Sequence, residues 1–197
     1  MMKSRLSLRH TCAIRRSWWV LGLLALGAIL LSACTPTPTS PPPPSDCVDF
    51  EDPPLGTRYN ILDMFTDSGA KIFVGPFQWG NGQWTSDGYA EVGDARLAGG
   101  AGQEIQVNNV NLIFDFCSPI QSLSLRFGEY GGNLNIKIND EFVNFEDFSE
   151  IDGRNIGWVD VSVINGFGDD TGSLEASGAI NSFAVGGQEL WIDDVCP

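Results

Sequence analysis

A chain of 197 residues, 43% of them hydrophobic, carries 25 acidic residues against 11 basic ones and one histidine, for a formal net charge of −14. That length suits one domain with a real core, and such acidity repels phosphate backbones and anionic headgroups, which excludes nucleic acid as a partner. The one histidine, His10, lies in an N-terminal leader, so the remainder has no imidazole for Ser-His-Asp or Cys-His catalysis or for a histidine metal site.

The leader carries Lys3, Arg5, Arg9, Arg15 and Arg16 and continues into the apolar run Trp18 to Leu31. A membrane-spanning helix needs ~20 apolar residues and a signal h-region only ~7–15, so this run predicts an export signal that is removed. Leu31-Ser32-Ala33-Cys34 closes it. These four residues resemble the bacterial lipobox, and the resemblance implies cleavage before Cys34, lipidation of Cys34 and attachment of an exported lipoprotein to a membrane through that lipid. The other reading is an ordinary signal peptide cut after Ala33. Thr35 follows the cysteine where an aspartate would favour inner-membrane retention. By the same resemblance, the outer membrane is favoured where there are two. One acyl chain holds weakly, so lasting attachment rests on multiple acylation.

Thr35 to Asp46 holds six of the eleven prolines. Such a stretch favours polyproline II, rising ~3.1 Å per residue, and makes a stalk on the order of 30 Å long. The expected division is a signal at 1–33, the lipidated cysteine and linker at 34–46, and one domain at 47–197. All 25 acidic residues lie beyond position 45, against only Arg58, Lys71, Arg96, Arg126, Lys137 and Arg154, which leaves about −19 on the exported part. That part keeps Cys47, Cys117 and Cys196 besides the lipobox cysteine. In an oxidising compartment two of the three pair. Cys47 with Cys196 is the expected disulfide, since they bracket the domain and fall opposite one another if its first and last strands are antiparallel neighbours. Cys117 is then a buried thiol or an outsider.

Alternation, not helical periodicity, runs through the domain. Val110, Leu112, Phe114 and Phe116 share one face; so do Leu123, Leu125 and Phe127, then Leu134, Ile136 and Ile138, then Val159, Val161 and Val163. Polar residues stand between them, the pattern of half-buried antiparallel strands. Turn signals recur at Asp67-Ser68-Gly69, Gly99-Gly100, Gly131-Gly132, Asn139-Asp140, Asp152-Gly153, Asp169 to Gly172 and Gly186-Gly187. Eleven or twelve strands are predicted, with Phe145 to Ile151 as the best helical candidate, one or two turns at most. For this length and pattern the physical answer is an all-β, antiparallel two-sheet sandwich.

Val48-Asp49-Phe50-Glu51-Asp52 opens the domain and Glu189-Leu190-Trp191-Ile192-Asp193-Asp194-Val195 closes it. These segments resemble the first and last strands of jelly-roll carbohydrate-binding modules. The resemblance implies a structural calcium ion where the two ends meet, held by Glu51 and by Asp193 or Asp194, with backbone carbonyls completing ~6–8 oxygens. It implies a glycan ligand as well.

Phe77 to Tyr89 is the richest chemical stretch, with Trp79, Trp84 and Tyr89 interleaved with Asn81, Gln83 and hydroxyls on a glycine-rich loop. Sugars present an apolar ring face to flat aromatics and hydroxyl pairs to amides, so this composition suits a glycan; equally, Trp79 and Trp84 could cap the core. Trp158 and Trp191 fall on the outward faces of their strands, as a platform or beneath a loop. Three readings stand: a lipid-anchored extracytoplasmic module binding a glycan or other surface component; a structural or adhesive protein contacting protein partners; and a glycoside hydrolase or lyase using paired carboxylates. No residue is singled out as catalytic, so the enzyme reading ranks last.

Overall fold

The computed structural model describes residues 47–166 and 170–197. Cys34, the linker and Asp169 lie outside the described residues. Fourteen strands follow in order: β1 Arg58–Asn60, β2 Met64–Asp67, β3 Ala70–Pro76, β4 Tyr89–Gly93, β5 Glu104–Asn108, β6 Val110–Asp115, β7 Ile120–Glu129, β8 Leu134–Ile138, β9 Glu141–Phe145, β10 Asn155–Ile156, β11 Val159–Asn165, β12 Thr171–Ile180, β13 Phe183–Gly187 and β14 Leu190–Cys196. They form two antiparallel sheets, one of eight strands (β1-β4-β5-β14-β7-β12-β11-β10) and one of six (β2-β3-β6-β13-β8-β9). The all-β two-sheet sandwich expected from the alternation is what the chain forms.

Every residue of the four inward sets read from the sequence is buried in a single core. Phe127 and Phe148 stack at its centre, 3.8 Å between ring centroids. Two local expectations are corrected, the strand count and the Gly186-Gly187 turn, and the helical candidate keeps a single turn. The strand count is fourteen, because segments as short as Asn155–Ile156 hold too few residues to show alternation. Phe145 to Ile151 gives β-strand to Phe145 and then one 3-10 turn, Phe148–Glu150, capped by the Asp147 side chain accepting from Ser149 N–H. Gly186-Gly187 is not a turn but the end of β13, where an added Cβ at Gly186 would collide with the Asn111 carboxamide on β6.

The two ends of the domain meet as expected. Val48 and Val195 exchange backbone hydrogen bonds of 2.9 Å each way in an antiparallel bridge. In an antiparallel ladder the pair beside a hydrogen-bonded pair is the narrow one, ~4.5 Å between Cα atoms. Cys47 and Cys196 occupy that place, with Cα atoms 4.2 Å apart, and form the disulfide. Closing 149 residues is worth roughly 5 kcal/mol in the chain-entropy account. Cys117 is exposed rather than buried, on a turn with φ of 63°.

Candidate functional site

The inward alternation of the six-stranded sheet fixes what its outer face presents. Met64 pairs with Phe73, Phe73 with Ile113, Ile113 with Ala184, Ala184 with Lys137, and Lys137 with Phe142. These six residues make one row at right angles to the strands, crossing all six. At ~4.8 Å per strand the row is about 24 Å long. Met64 is 53% exposed, and Phe73 and Ile113 39% each, an unusual concentration of apolar surface. Two residues along each strand runs a second row, Gly75, Asn111, Gly186, Asn135 and Asn144.

The second row is not open, because its amides hold down the connection between β3 and β4. Asn135 Oδ1 accepts from Gln78 N–H at 2.8 Å, and Asn135 Nδ2 donates to Gln78 O at 2.8 Å. Asn144 Nδ2 donates to the same carbonyl at 2.8 Å, while Asn111 Nδ2 donates to Pro76 O at 2.6 Å. Above these anchors the chain turns tightly, Gly82 N–H donating to Trp79 O at 2.7 Å and Trp79 N–H to Gln83 O at 2.8 Å. The returning limb stands Trp84 beside the apolar row, 54% exposed and 5.6 Å from the Phe142 ring. Between wall and sheet lies a groove of about 240 Å³, its floor Gly75, Ile113 and Ala184, its far end Phe142 and Lys137.

The aromatic stretch read from the sequence is thus divided. Trp84 lines the groove. Asn81 and Gln83 sit exposed on the hairpin tip above it, joined to each other by Gln83 N–H donating to Asn81 Oδ1 at 3.0 Å. Trp79 is half-buried, edge-on against buried Phe77, so one of the two tryptophans packs inward and the other faces out. Tyr89 belongs to β4 in the other sheet and lies under the Arg58 guanidinium, 3.8 Å from ring centroid to Cζ. Phe142, Lys137, Ile113 and Phe73 were missed. Ile113 and Lys137 are outward partners of inward sets already read, whereas Phe73 and Phe142 lie on strands that showed no such set, and only register shows that the four line up.

The opposite sheet treats its outer face differently. Trp191 and Asp193 point outward from β14, yet Asp193 is 1% exposed, because loop 94–103 lies over it with Gly100 against its carboxylate. Glu104, also 1% exposed, ties that loop down by accepting from Leu97 N–H at 2.8 Å and Ala98 N–H at 2.7 Å. Trp191 packs over Gly93 and is half-buried, whereas Trp158, expected on the outward face of a strand, lies in the turn that precedes β11 and is 92% exposed.

The calcium set implied by the resemblance is only partly gathered. Glu51 accepts from Gln103 N–H at 2.7 Å, and Asp194 Oδ2 accepts from Arg126 Nε at 2.9 Å, so both are committed to other partners. Among the described residues no group of three or more His, Cys, Asp or Glu is placed to hold a metal ion. Two further carboxylates are buried, Asp193 and Asp67, each accepting a backbone N–H, from Asp194 at 2.8 Å and from Asp52 at 3.2 Å. Burial lifts Asp193 to about 7, with Asp194, Glu104 and Asp49 adding repulsion. Burial also raises Asp67, whose Oδ1 has no hydrogen-bond partner and which feels the charge of Asp49 too.

No family model, curated protein or solved structure gives a significant match to this chain. Its class rests on its own architecture: an all-β, two-sheet antiparallel sandwich, closed by a terminal disulfide, with part of one sheet's outer face roofed by loop 94–103 and an aromatic-walled groove on the other.

Proposed function

We propose that this chain is an exported, lipid-anchored binding module of jelly-roll type, acylated at Cys34, whose ligand is a glycan lying across the six-stranded sheet. The observation that carries it is the Met64-Phe73-Ile113-Ala184-Lys137-Phe142 row with Trp84 standing beside it. A chain ligand needs a continuous track, and this one crosses six strands without interruption. Sugar ring faces stack on Trp84 and Phe142, and hydroxyls meet the Lys137 ammonium and the exposed amides of Asn81 and Gln83. The residues lining the groove include no carboxylate, which favours binding over hydrolysis by paired acids at this place. The proline stalk and lipid anchor suit display of such a module beyond a membrane.

The adhesive reading has one observation in its favour: the amides of the second row are spent on holding Gln78 and Pro76, so recognition in the groove floor is mainly apolar. A glycan array probed with the full chain separates the two. Binding of a polysaccharide class, weakened at least tenfold by Trp84→Ala, is the expected result; binding to none of them rejects the glycan. Calcium is the cofactor of this proposal, placed at Asp193, a carboxylate buried where the two ends of the domain meet.

A further inference from the structure

At one end of the sandwich lies a second surface, whose lining shares no residue with the groove. The hairpin between β10 and β11 turns on two residues, Gly157 and Trp158, since Ile156 pairs with Val159. Both have positive φ, 59° and 67°, as a type I′ turn requires. Glycine adopts that conformation freely, whereas a bulky side chain at such a φ is an outlier that persists only where its surroundings enforce it.

The enforcement is visible. Gly157 N–H donates to Glu141 Oε2 at 2.8 Å, and Gly157 O accepts from Asn139 Nδ2 at 2.7 Å. The same Asn139 donates to Ala179 O at 3.0 Å and accepts from Asn181 N–H at 2.7 Å. Two hairpin turns, β8–β9 and β10–β11, and the β12–β13 connection between the sheets are thereby tied into one frame. A Cβ at Gly157 would collide with Ile138 O, so the tip cannot relax by exchanging its residues. The frame holds a 92% exposed indole that gains no packing from its own domain. Beside it lies a cleft of about 320 Å³ lined by Asn139, Asp140, Glu141, Gly157 and Trp158, with two carboxylates and no cation among its lining residues.

We propose that Trp158, Asp140 and Glu141 form a binding site for a guanidinium or ammonium group on a basic segment of a protein partner. The indole face attracts a cation through its quadrupole, and carboxylates beside it supply charge-assisted hydrogen bonds to the same group. The surplus of acidic residues over the domain steers a basic partner inward and turns anionic membrane surfaces away. A rigid tip loses little freedom when it is covered, which favours binding.

The test follows the indole N–H signals of the isotopically labelled full chain by NMR during titration with a hexa-arginine peptide, a hexaglutamate peptide and a neutral oligosaccharide. Hexa-arginine shifts the Trp158 signal saturably and the other two do not. Trp158→Ala weakens hexa-arginine binding about fivefold, and the Asp140→Asn/Glu141→Gln pair weakens it at least as much, while Trp84→Ala leaves it unchanged. The remaining indole signals report that each variant is folded. Equal affinity of Trp158→Ala and the unaltered chain overturns the proposal, leaving only diffuse acidity; so does a Trp158 shift produced by the oligosaccharide alone, which would make the tip a sugar platform.

Discussion

The outer faces of the two sheets obey the same pleat and end in opposite states. On the eight-stranded sheet, Glu104 and Asp193 are outward residues 1% exposed beneath loop 94–103, whereas on the six-stranded sheet Phe73 and Ile113 are outward residues 39% exposed. The strands do not decide this; the connections do. The β4–β5 loop folds over its sheet, with Leu97 O packed tightly on Gly128 and accepting from the Tyr130 hydroxyl at 3.0 Å. The β3–β4 loop is instead pinned along one side by Asn135 and Asn144, and so forms a wall rather than a roof. Two carboxylates are thus roofed over while apolar residues of the other sheet stay open, the reverse of what burial alone favours. A face left apolar against that tendency is the mark of a surface meant to be covered by something else.

If the two faces are independent, damage to the sealed side should leave the groove working. The largest effect expected is from Cys47→Ser/Cys196→Ser, which removes the tie between the domain's ends and costs about 2–5 kcal/mol. Thermal melts should show a drop of several degrees, reproduced in the unaltered chain by reductant. Ligand affinity measured well below the midpoint should be unchanged; a parallel loss of affinity would show that the groove depends on the far sheet.

Next in size is Asn135→Ala, which strikes the wall. Asn135 is 1% exposed and bonds both backbone groups of Gln78, and stranding buried partners costs about 1–3 kcal/mol. Here stability and binding should fall together, because the hairpin carrying Trp84 loses its anchor. Melting with no change in affinity would mean that Trp84 is not positioned by this contact.

A smaller effect concerns Asp193 under its roof. Its carboxyl titrates at about 7 in the folded chain and near 3.9 when unfolded. Between those values the folded state holds a proton that the unfolded state has released, so this group's contribution is greatest below pH 4 and declines as pH rises to about 7, then levels. Asp193→Asn should abolish that decline and raise the melting midpoint at pH 8 by a few degrees. Excess calcium should act in the same direction on the unaltered chain if the ion sits at this carboxylate, since a ligand of the folded state must stabilise it; a midpoint identical in calcium and in chelator removes the ion.

Much of this arrangement was legible before any coordinates. The inward sets were readable because hydrophobic alternation has a period of two and survives in a single strand. The terminal disulfide was readable because its cysteines bracket the domain. Trp84 was readable by composition, but its separation from Tyr89 was not: the two lie five residues apart in sequence, yet Trp84 walls the groove and Tyr89 enters β4 in the opposite sheet. The Phe73-Ile113-Phe142 row was hidden for a related reason. Its members are 40 and 29 residues apart in sequence, and only the register of strands brought side by side places them on one line. The resemblance offers Asp193 or Asp194 as a calcium ligand, and nothing local in the pair shows that a loop ninety residues earlier covers one and that Arg126 takes the other.

The smallest effect on stability is also the sharpest test of what the open face is for. Ile113 lies at the middle of the apolar row and on the groove floor, paired with Phe73 on one side and Ala184 on the other. An exposed position away from caps and buried networks tolerates substitution within about ±0.5 kcal/mol, so Ile113→Ser should melt almost as the unaltered chain does. Serine shortens the floor and adds a hydroxyl where the row is otherwise apolar, so a ligand lying across the sheet should lose affinity severalfold. Ser122→Ala on β7, outward on the eight-stranded sheet, is the control and should change neither quantity. Were both variants silent toward a ligand that Trp84→Ala weakens, the row would be a floor the ligand does not touch, and recognition would belong to the hairpin wall alone.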